Sequence, residues 1–105
     1  MTKLSELPQV SEAPVASTIT WQGKEYAFSV RQVPFDQAQL FNPTLEDGQQ
    51  RNPRIMSDLV LFEDAAGELV PLDYATAAKL PPGLAVMISD KMWHLNGYGN
   101  SETKN

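Results

Sequence analysis

Residues 15–30 read VASTITWQGKEYAFSV, which is the segment of the chain with the clearest structural pattern. Two runs rich in β-branched and aromatic residues flank Gln22-Gly23. A two-residue loop with glycine between such runs predicts a β-hairpin, because the turn needs positive φ. The chain should therefore begin its folded part with two antiparallel strands.

The short loop also fixes the register of this hairpin. One face should carry Trp21 opposite Lys24, Ile19 opposite Tyr26, Ser17 opposite Phe28 and Val15 opposite Val30. The other face collects Ala16, Thr18, Thr20, Glu25, Ala27, Ser29 and Arg31. Because strand side chains alternate, one face is apolar and the other mostly polar. The hairpin should cover a core on one side only.

A second, shorter hairpin is predicted in the middle of the chain. Residues 59–71 read LVLFEDAAGELVP, with acidic residues and a glycine between two β-rich runs. We expect strands at about Leu59–Glu63 and Glu68–Pro71. The helical spacing of Ile55, Leu59 and Phe62 leaves a helix from Arg54 as the alternative.

Prolines punctuate the segment between the hairpins. Pro34 suits the first turn of a short helix, which carries Phe35 and Phe41 and should end before Pro43. Residues 43–53 are polar and contain glycine, which is typical of an exposed loop.

The C-terminal third is predicted to be helical. Asp73 should cap a short helix over residues 74–80, and Pro82 should open a second helix at its first turn. Asn96-Gly97 should end it, with Gly97 in the left-handed conformation. The apolar stripe of this last helix contains Leu84, Met87, Ile88, Met92 and Leu95.

These elements predict one α+β domain: an N-terminal β-hairpin, a second short hairpin in the middle, and short C-terminal helices packed on one small core. The domain should span residues 15–97, because residues 1–14 have the composition of a flexible arm and 98–105 that of a flexible tail. A length of 105 residues leaves no room for a second domain.

Composition narrows the function classes. The formal net charge is −5, which disfavours nucleic acid and anionic membranes as partners. The chain has no cysteine, which rules out disulfides and thiolate metal sites and is compatible with a cytoplasmic location. No apolar run approaches the length of a membrane span, and residues 1–9 lack the apolar stretch of a secretory signal.

No catalytic pattern is present. His94 is the single histidine, and its pairing with Asp90 one turn earlier is typical of a helix surface. The sequence has no nucleophile elbow, phosphate-binding glycine loop or calcium loop. We therefore expect a protein that is not an enzyme and binds neither a cofactor nor a metal.

Aromatic and methionine side chains are the remaining candidates for binding. Trp21 lies beside the hairpin turn, Met87 and Met92 lie in the apolar stripe, and Trp93 falls outside it. Exposed tryptophan beside flexible methionine is typical of an adaptable protein-binding surface. The alternative is that Trp93 packs back onto the hairpin and that the two methionines simply fill the core.

The order of segments resembles a known family. The segment ITWQGKEYAFSVRQ (19–32) gives a hairpin that ends in Val-Arg-Gln. It is followed by LVLFEDAAGELVP (59–71), then DYATAAKL (73–80) and PPGLAVMISDKMWHLNG (81–97). Over about residues 18–97 this succession resembles the tail assembly chaperones of long-tailed bacteriophages. The proline-containing loop from Asn42 to Pro53 departs from that pattern, in which a longer helix is expected.

The resemblance implies a function without catalysis. Members of the family bind the tape-measure protein, keep its helices soluble, help to recruit tail-tube subunits and are absent from the mature virion. We would then expect this chain in the host cytoplasm, with the tape-measure protein and the tail-tube protein as partners. A small structural virion component, such as a tail or head-completion protein, is one alternative. A small regulator or inhibitor of one bacterial protein is another.

Overall fold

The chain reverses at Gln22 and Gly23, whose φ angles are both positive, at 51° and 79°. In the computed structural model, which describes residues 1–98, this turn joins strand β1 (Val15–Trp21) to strand β2 (Lys24–Val30). Every residue of β1 pairs with the predicted partner in β2, from Trp21 opposite Lys24 to Val15 opposite Val30. The predicted hairpin and its register are confirmed.

The second hairpin extends the same sheet. Strands β3 (Val60–Glu63) and β4 (Leu69–Pro71) each begin one residue later than predicted. The Asp64 side chain stabilises their turn, because its Oδ1 accepts hydrogen bonds from the N–H groups of Ala66 and Glu68 at 2.9 and 3.0 Å. The strand order is β1-β2-β3-β4 and every pair is antiparallel.

A helix directly precedes β3, which corrects the predicted loop over residues 43–53 at its C-terminal end. Helix α1 spans Arg51–Leu59, and β3 follows at Val60 without a connecting residue. The chain thus adopts the helix and the strand in succession, although they were predicted as alternatives. Pro53 is the third residue of α1, where a backbone N–H has no partner within the helix, so proline is tolerated.

The other helical segments are short except the last. A 3-10 segment, Phe35–Phe41, follows Pro34, and α2 (Tyr74–Ala78) ends two residues before the predicted boundary. The predicted cap of α2 is confirmed, because the Asp73 carboxylate accepts a hydrogen bond from the Thr76 N–H at 2.7 Å. Helix α3 spans Pro82–Leu95, with its proline in the first position as predicted.

The core lies between one face of the sheet and the helices, so the predicted α+β architecture is confirmed. The sheet contributes Ile19, Phe28, Val30 and Val60, and the helices contribute Ile55, Met56, Leu59, Ala77, Leu84, Ile88 and Met92. Ala16, Thr18, Thr20, Glu25 and Ala27 are exposed on the opposite face of the sheet. The side chains therefore divide between the faces as the hairpin register requires, with the exception that Ser29 of the polar face is buried at 8% exposure.

Asn96 fastens the end of α3 to the chain that leaves β2. Its Oδ1 accepts a hydrogen bond from the Val33 N–H at 2.7 Å, and its Nδ2 donates to the carbonyl oxygens of Arg31 (3.1 Å) and Met92 (3.0 Å). The Gln32 amide also donates to the Leu95 carbonyl at 2.9 Å. We call this group of hydrogen bonds the Asn96 clasp. It joins two segments that lie more than sixty positions apart in sequence.

The two ends of the chain differ in how they meet the domain. Residues 1–14 are exposed and contain one short 3-10 turn, Leu4–Glu6. The Ser11 N–H donates to Gln32 Oε1 at 2.6 Å and links this arm to the segment that follows β2. The flexibility of the arm stays a prediction. Of the predicted tail, residues 99–105 lie outside the described part of the chain.

Candidate protein-binding surface

The titratable groups of the described residues form no cluster that could bind a metal ion. Within residues 1–98, no group of three or more His, Asp or Glu residues is placed to hold a metal ion. Hydrogen bonding from the Thr76 side chain, and then from its backbone N–H, lowers the pKa of the Asp73 carboxyl. This carboxylate caps a helix, so its low pKa has a structural cause.

Met92 was predicted as a partner-binding residue, and its position in the structure corrects this prediction. Its side chain is 0% exposed and belongs to the central core cluster. The reason is its position on α3, because Leu84, Ile88 and Met92 recur at four-residue steps and all three lie in the core cluster. Met92 therefore cannot contact a partner in this conformation.

Trp21 and Met87 lie at the N-terminal half of α3. The Trp21 indole packs on Gly83, where its Nε1 would stand only 3.1 Å from an added Cβ. Met87 follows Gly83 by four residues and so lies one turn further along the same helix face. Both side chains are half-buried against the core, which leaves each a partly exposed surface.

Trp93 lies near the other end of α3 in a group of three aromatic rings. Its ring centroid is 4.7 Å from that of Phe41 and 5.3 Å from that of Tyr98. The Phe41 and Tyr98 centroids are 5.1 Å apart, so the three rings contact one another. Phe41 is buried, Trp93 is half-buried and Tyr98 is 53% exposed. Trp93 lies near the C-terminal end of α3, whereas Trp21 packs near its N-terminal end, so the two tryptophans do not form one site.

Sequence reasoning missed Tyr98, which it assigned to the tail. Gly97 has a φ of 87°, as predicted, and turns the chain so that the Tyr98 N–H donates to the Trp93 carbonyl at 2.9 Å. The Gly97 N–H donates to the His94 carbonyl at 2.9 Å, which completes a Schellman motif. This motif commonly places the residue after glycine against the third residue from the helix end. That rule was the signal for the contact of Tyr98 with Trp93.

A groove lies beside Trp93, between α1 and α3. It has a volume of about 300 Å³. Ala85 and Ser89, one turn apart, are its small side chains on α3, and Val86 is 57% exposed beside them. Pro53 of α1 lines the groove together with Trp93. We call this surface the α1–α3 groove, and its remaining lining residues are Asn52, Met56, Ala77 and Asp90.

A second groove lies on the adjacent side of α3, against the sheet. It has a volume of about 350 Å³, and seven of its nine lining residues are apolar or aromatic. We call it the sheet–α2 groove, and those seven residues are Tyr26, Phe62, Pro71, Leu72, Leu80, Leu84 and Ile88. Leu72, Leu84 and Ile88 are buried core residues, so this groove is a shallow opening onto the core.

Comparisons with known proteins identify no relative. No protein-family profile, curated protein or solved structure matches the chain. Among the described residues, no helix is both long enough and apolar enough to cross a membrane.

The α1–α3 groove is suited to an apolar helix. Val86 and Trp93 are seven residues apart and line one side of α3 over two turns, a distance of about 10 Å. The small side chains of Ala85 and Ser89 leave room for a second helix to approach closely, while Val86 and Trp93 offer it apolar contacts. Such a groove can hold the apolar face of an amphipathic helix.

Proposed function

We propose that the protein is a non-catalytic tail assembly chaperone, which binds the tape-measure protein and helps to recruit tail-tube subunits in the host cytoplasm. The observation that carries the proposal is the α1–α3 groove, whose exposed Val86 and half-buried Trp93 offer an apolar site beside a ready-made aromatic cluster. The order of sequence segments supports the choice of client.

The dimensions of the groove agree with a helical client. A tape-measure protein of the kind expected here is long and helical, and its helices expose apolar stripes until the tail is built. A stripe with apolar residues one and two turns apart matches the spacing of Val86 and Trp93 on α3. One chaperone would cover only a few turns, so a long client would need several copies.

Charge supports a transient association. The net charge of −5 keeps the free protein soluble, and Asp90 and Asn52 provide a polar rim to the apolar groove. An interface with a small apolar centre and a polar rim is typical of partners that bind and later separate. That behaviour is required of a factor that leaves before the virion is complete.

The test is co-expression with a candidate tape-measure protein. The wild-type chain should keep the client in the soluble fraction, and Val86→Asp should abolish this effect because it places a charge in the groove. Val86 is 57% exposed, so the substitution should leave the fold intact. Soluble client is measured by quantitative gel densitometry after centrifugation, and folding by circular dichroism.

Val10→Asp is the matched control. Val10 is also exposed, but it lies in the N-terminal arm and does not line the groove. This variant should keep the client as soluble as the wild type does. The proposal fails if the client is equally insoluble with and without the wild-type chain, or if V86D protects it as well as V10D does. Recovery of the chain in purified particles would instead favour a structural virion component.

A further inference from the structure

The outer edge of β1 is an unprotected strand edge. β1 lies at the end of the sheet, and within residues 1–98 no strand pairs with its outer side. Its seven residues, VASTITW, include no charged residue and no proline. Natural proteins usually blunt such edges with lysine, proline, a bulge or a short strand, because exposed edges pair with other chains. The absence of every one of these devices needs an explanation.

The opposite edge of the same sheet is protected. β4 has only three residues and ends in Pro71, which has no N–H to donate. The fold therefore closes one edge and leaves the longer one open. This difference between the two edges suggests that the β1 edge pairs with another chain.

The peptide groups available for pairing follow from the turn. In a hairpin with a two-residue loop, the residues that close the turn form a hydrogen-bonded pair, here Trp21 and Lys24. Hydrogen-bonded and non-hydrogen-bonded pairs alternate along an antiparallel ladder. The N–H and C=O groups of Ala16, Thr18 and Thr20 must therefore point away from β2. All three residues are exposed.

We propose that β1 pairs antiparallel with β1 of a second copy, about a twofold axis at Thr18, to give one continuous eight-stranded sheet. This register aligns all seven residues of both strands. It places Thr18 opposite Thr18, and Ala16 opposite Thr20 on each side of the axis. Three such pairs, each exchanging two bonds, make about six backbone hydrogen bonds.

The side chains are complementary in the same register. On the face that carries the helices, Trp21 lies opposite Val15 of the second copy, and Ile19 lies opposite Ser17. Val15 and Trp21 are each half-buried in the single chain, so pairing them would cover apolar surface that is now partly exposed. Pairs of an aromatic with a β-branched residue stabilise neighbouring strands. The twofold axis produces this favourable pair twice.

Charge also permits a second copy at this edge. Two chains of net charge −5 repel each other, yet β1 brings no charged side chain to the shared boundary. The edge lies away from the α1–α3 groove, whose lining residues all come from α1, α2 and α3. A dimer formed here would carry two free grooves, and the inference does not depend on what those grooves bind.

Analytical ultracentrifugation of the full chain tests the proposal. The wild type should reach twice the chain mass of 11.6 kDa as its concentration rises to about 1 mM, the weak end of specific association. Thr18→Lys should remain monomeric, because two lysines would then lie directly opposite each other on the axis. Leu69→Lys is the control, since it adds the same charge at the opposite edge, where Leu69 is 44% exposed. It should dimerise like the wild type.

Hydrogen exchange identifies the edge without any substitution. The amides of Ala16, Thr18 and Thr20 should become protected as the concentration rises, whereas those of Ser17 and Ile19 should be protected at every concentration. A wild type that stays monomeric at about 1 mM overturns the proposal. So does a dimer that persists in T18K, or one that leaves these three amides unprotected. Protection that requires a different protein would assign the edge to that partner and reject the second copy.

Discussion

The Asn96 clasp offers the most direct test of how this small domain holds together. Asn96→Ala removes three hydrogen bonds: one from the Val33 N–H, and two from the Asn96 amide to the carbonyls of Arg31 and Met92. The bonds to Val33 and Met92 are partly buried, whereas the bond to Arg31 is exposed. The substitution therefore leaves partly buried backbone groups without this partner.

The expected fall in the free energy of unfolding follows from these three hydrogen bonds. A partly buried hydrogen bond contributes about 1 kcal/mol and an exposed one about half as much, so the free energy of unfolding should fall by about 2.5 kcal/mol. For a domain of this size each kcal/mol lowers the melting temperature by about 4 to 8 °C, and the expected loss is about 10 to 20 °C. Urea denaturation followed by tryptophan fluorescence gives the free energy, and calorimetry gives the melting temperature.

Asn42→Ala provides the control for this measurement. Asn42 is exposed, and its side chain makes no hydrogen bond to the described part of the chain. Its replacement should change the stability by less than about 0.5 kcal/mol. Equal stabilities of N96A and N42A would show that the Asn96 clasp does not fasten α3 to β2.

Two further predictions concern Trp93 and Asp73. Trp93→Ala should lower the free energy of unfolding by about 2 kcal/mol, because Trp93 contacts Phe41 and Tyr98 but is only half-buried. This loss is smaller than that expected for a fully buried tryptophan. Tyr98→Ala should lower the free energy of unfolding by less in the same urea titration, and equal losses would contradict the ring geometry. The pKa of Asp73 is lower in the folded state than its ordinary value of 3.8, so the unfolded chain binds the proton first and this stabilisation is lost as the pH falls below 3.8. The difference in melting temperature between the wild type and Asp73→Asn should therefore shrink from pH 5 to pH 2. A difference that stays constant would show that the Asp73 carboxylate does not cause this pH dependence.

Local chemistry made the hairpins predictable. The loop Gln22-Gly23 permits one register, and the structure has that register at every pair. Helix α1 was harder to predict because Pro53 suggests a loop, and its position at the third residue, where proline is harmless, is known only once the start at Arg51 is known. Sequence gives the proline but not its place in the helix.

The binding surface was predicted less well, for a different physical reason. The apolar stripe of α3 was correctly identified, but a stripe does not reveal how many sides of the helix are covered. Met92 is completely buried in the core, whereas Trp93, one position later, is half-buried and lines the groove beside α1. The difference depends on packing between elements distant in sequence, which no local pattern encodes.

The direct junction between α1 and β3 determines where the chain can be lengthened. Leu59 and Val60 are both fully buried, and no residue separates the helix from the strand. One inserted residue at this junction would rotate α1 by about 100° or exchange the faces of β3. Either change would turn the buried side chains of that element away from the core. The turn at Asp47 and Gly48 has exposed side chains and open space around its glycine. An affinity tag or fluorescent label should be inserted there, because added length would disturb two hydrogen bonds between Glu46 and Gln49 but no buried side chain.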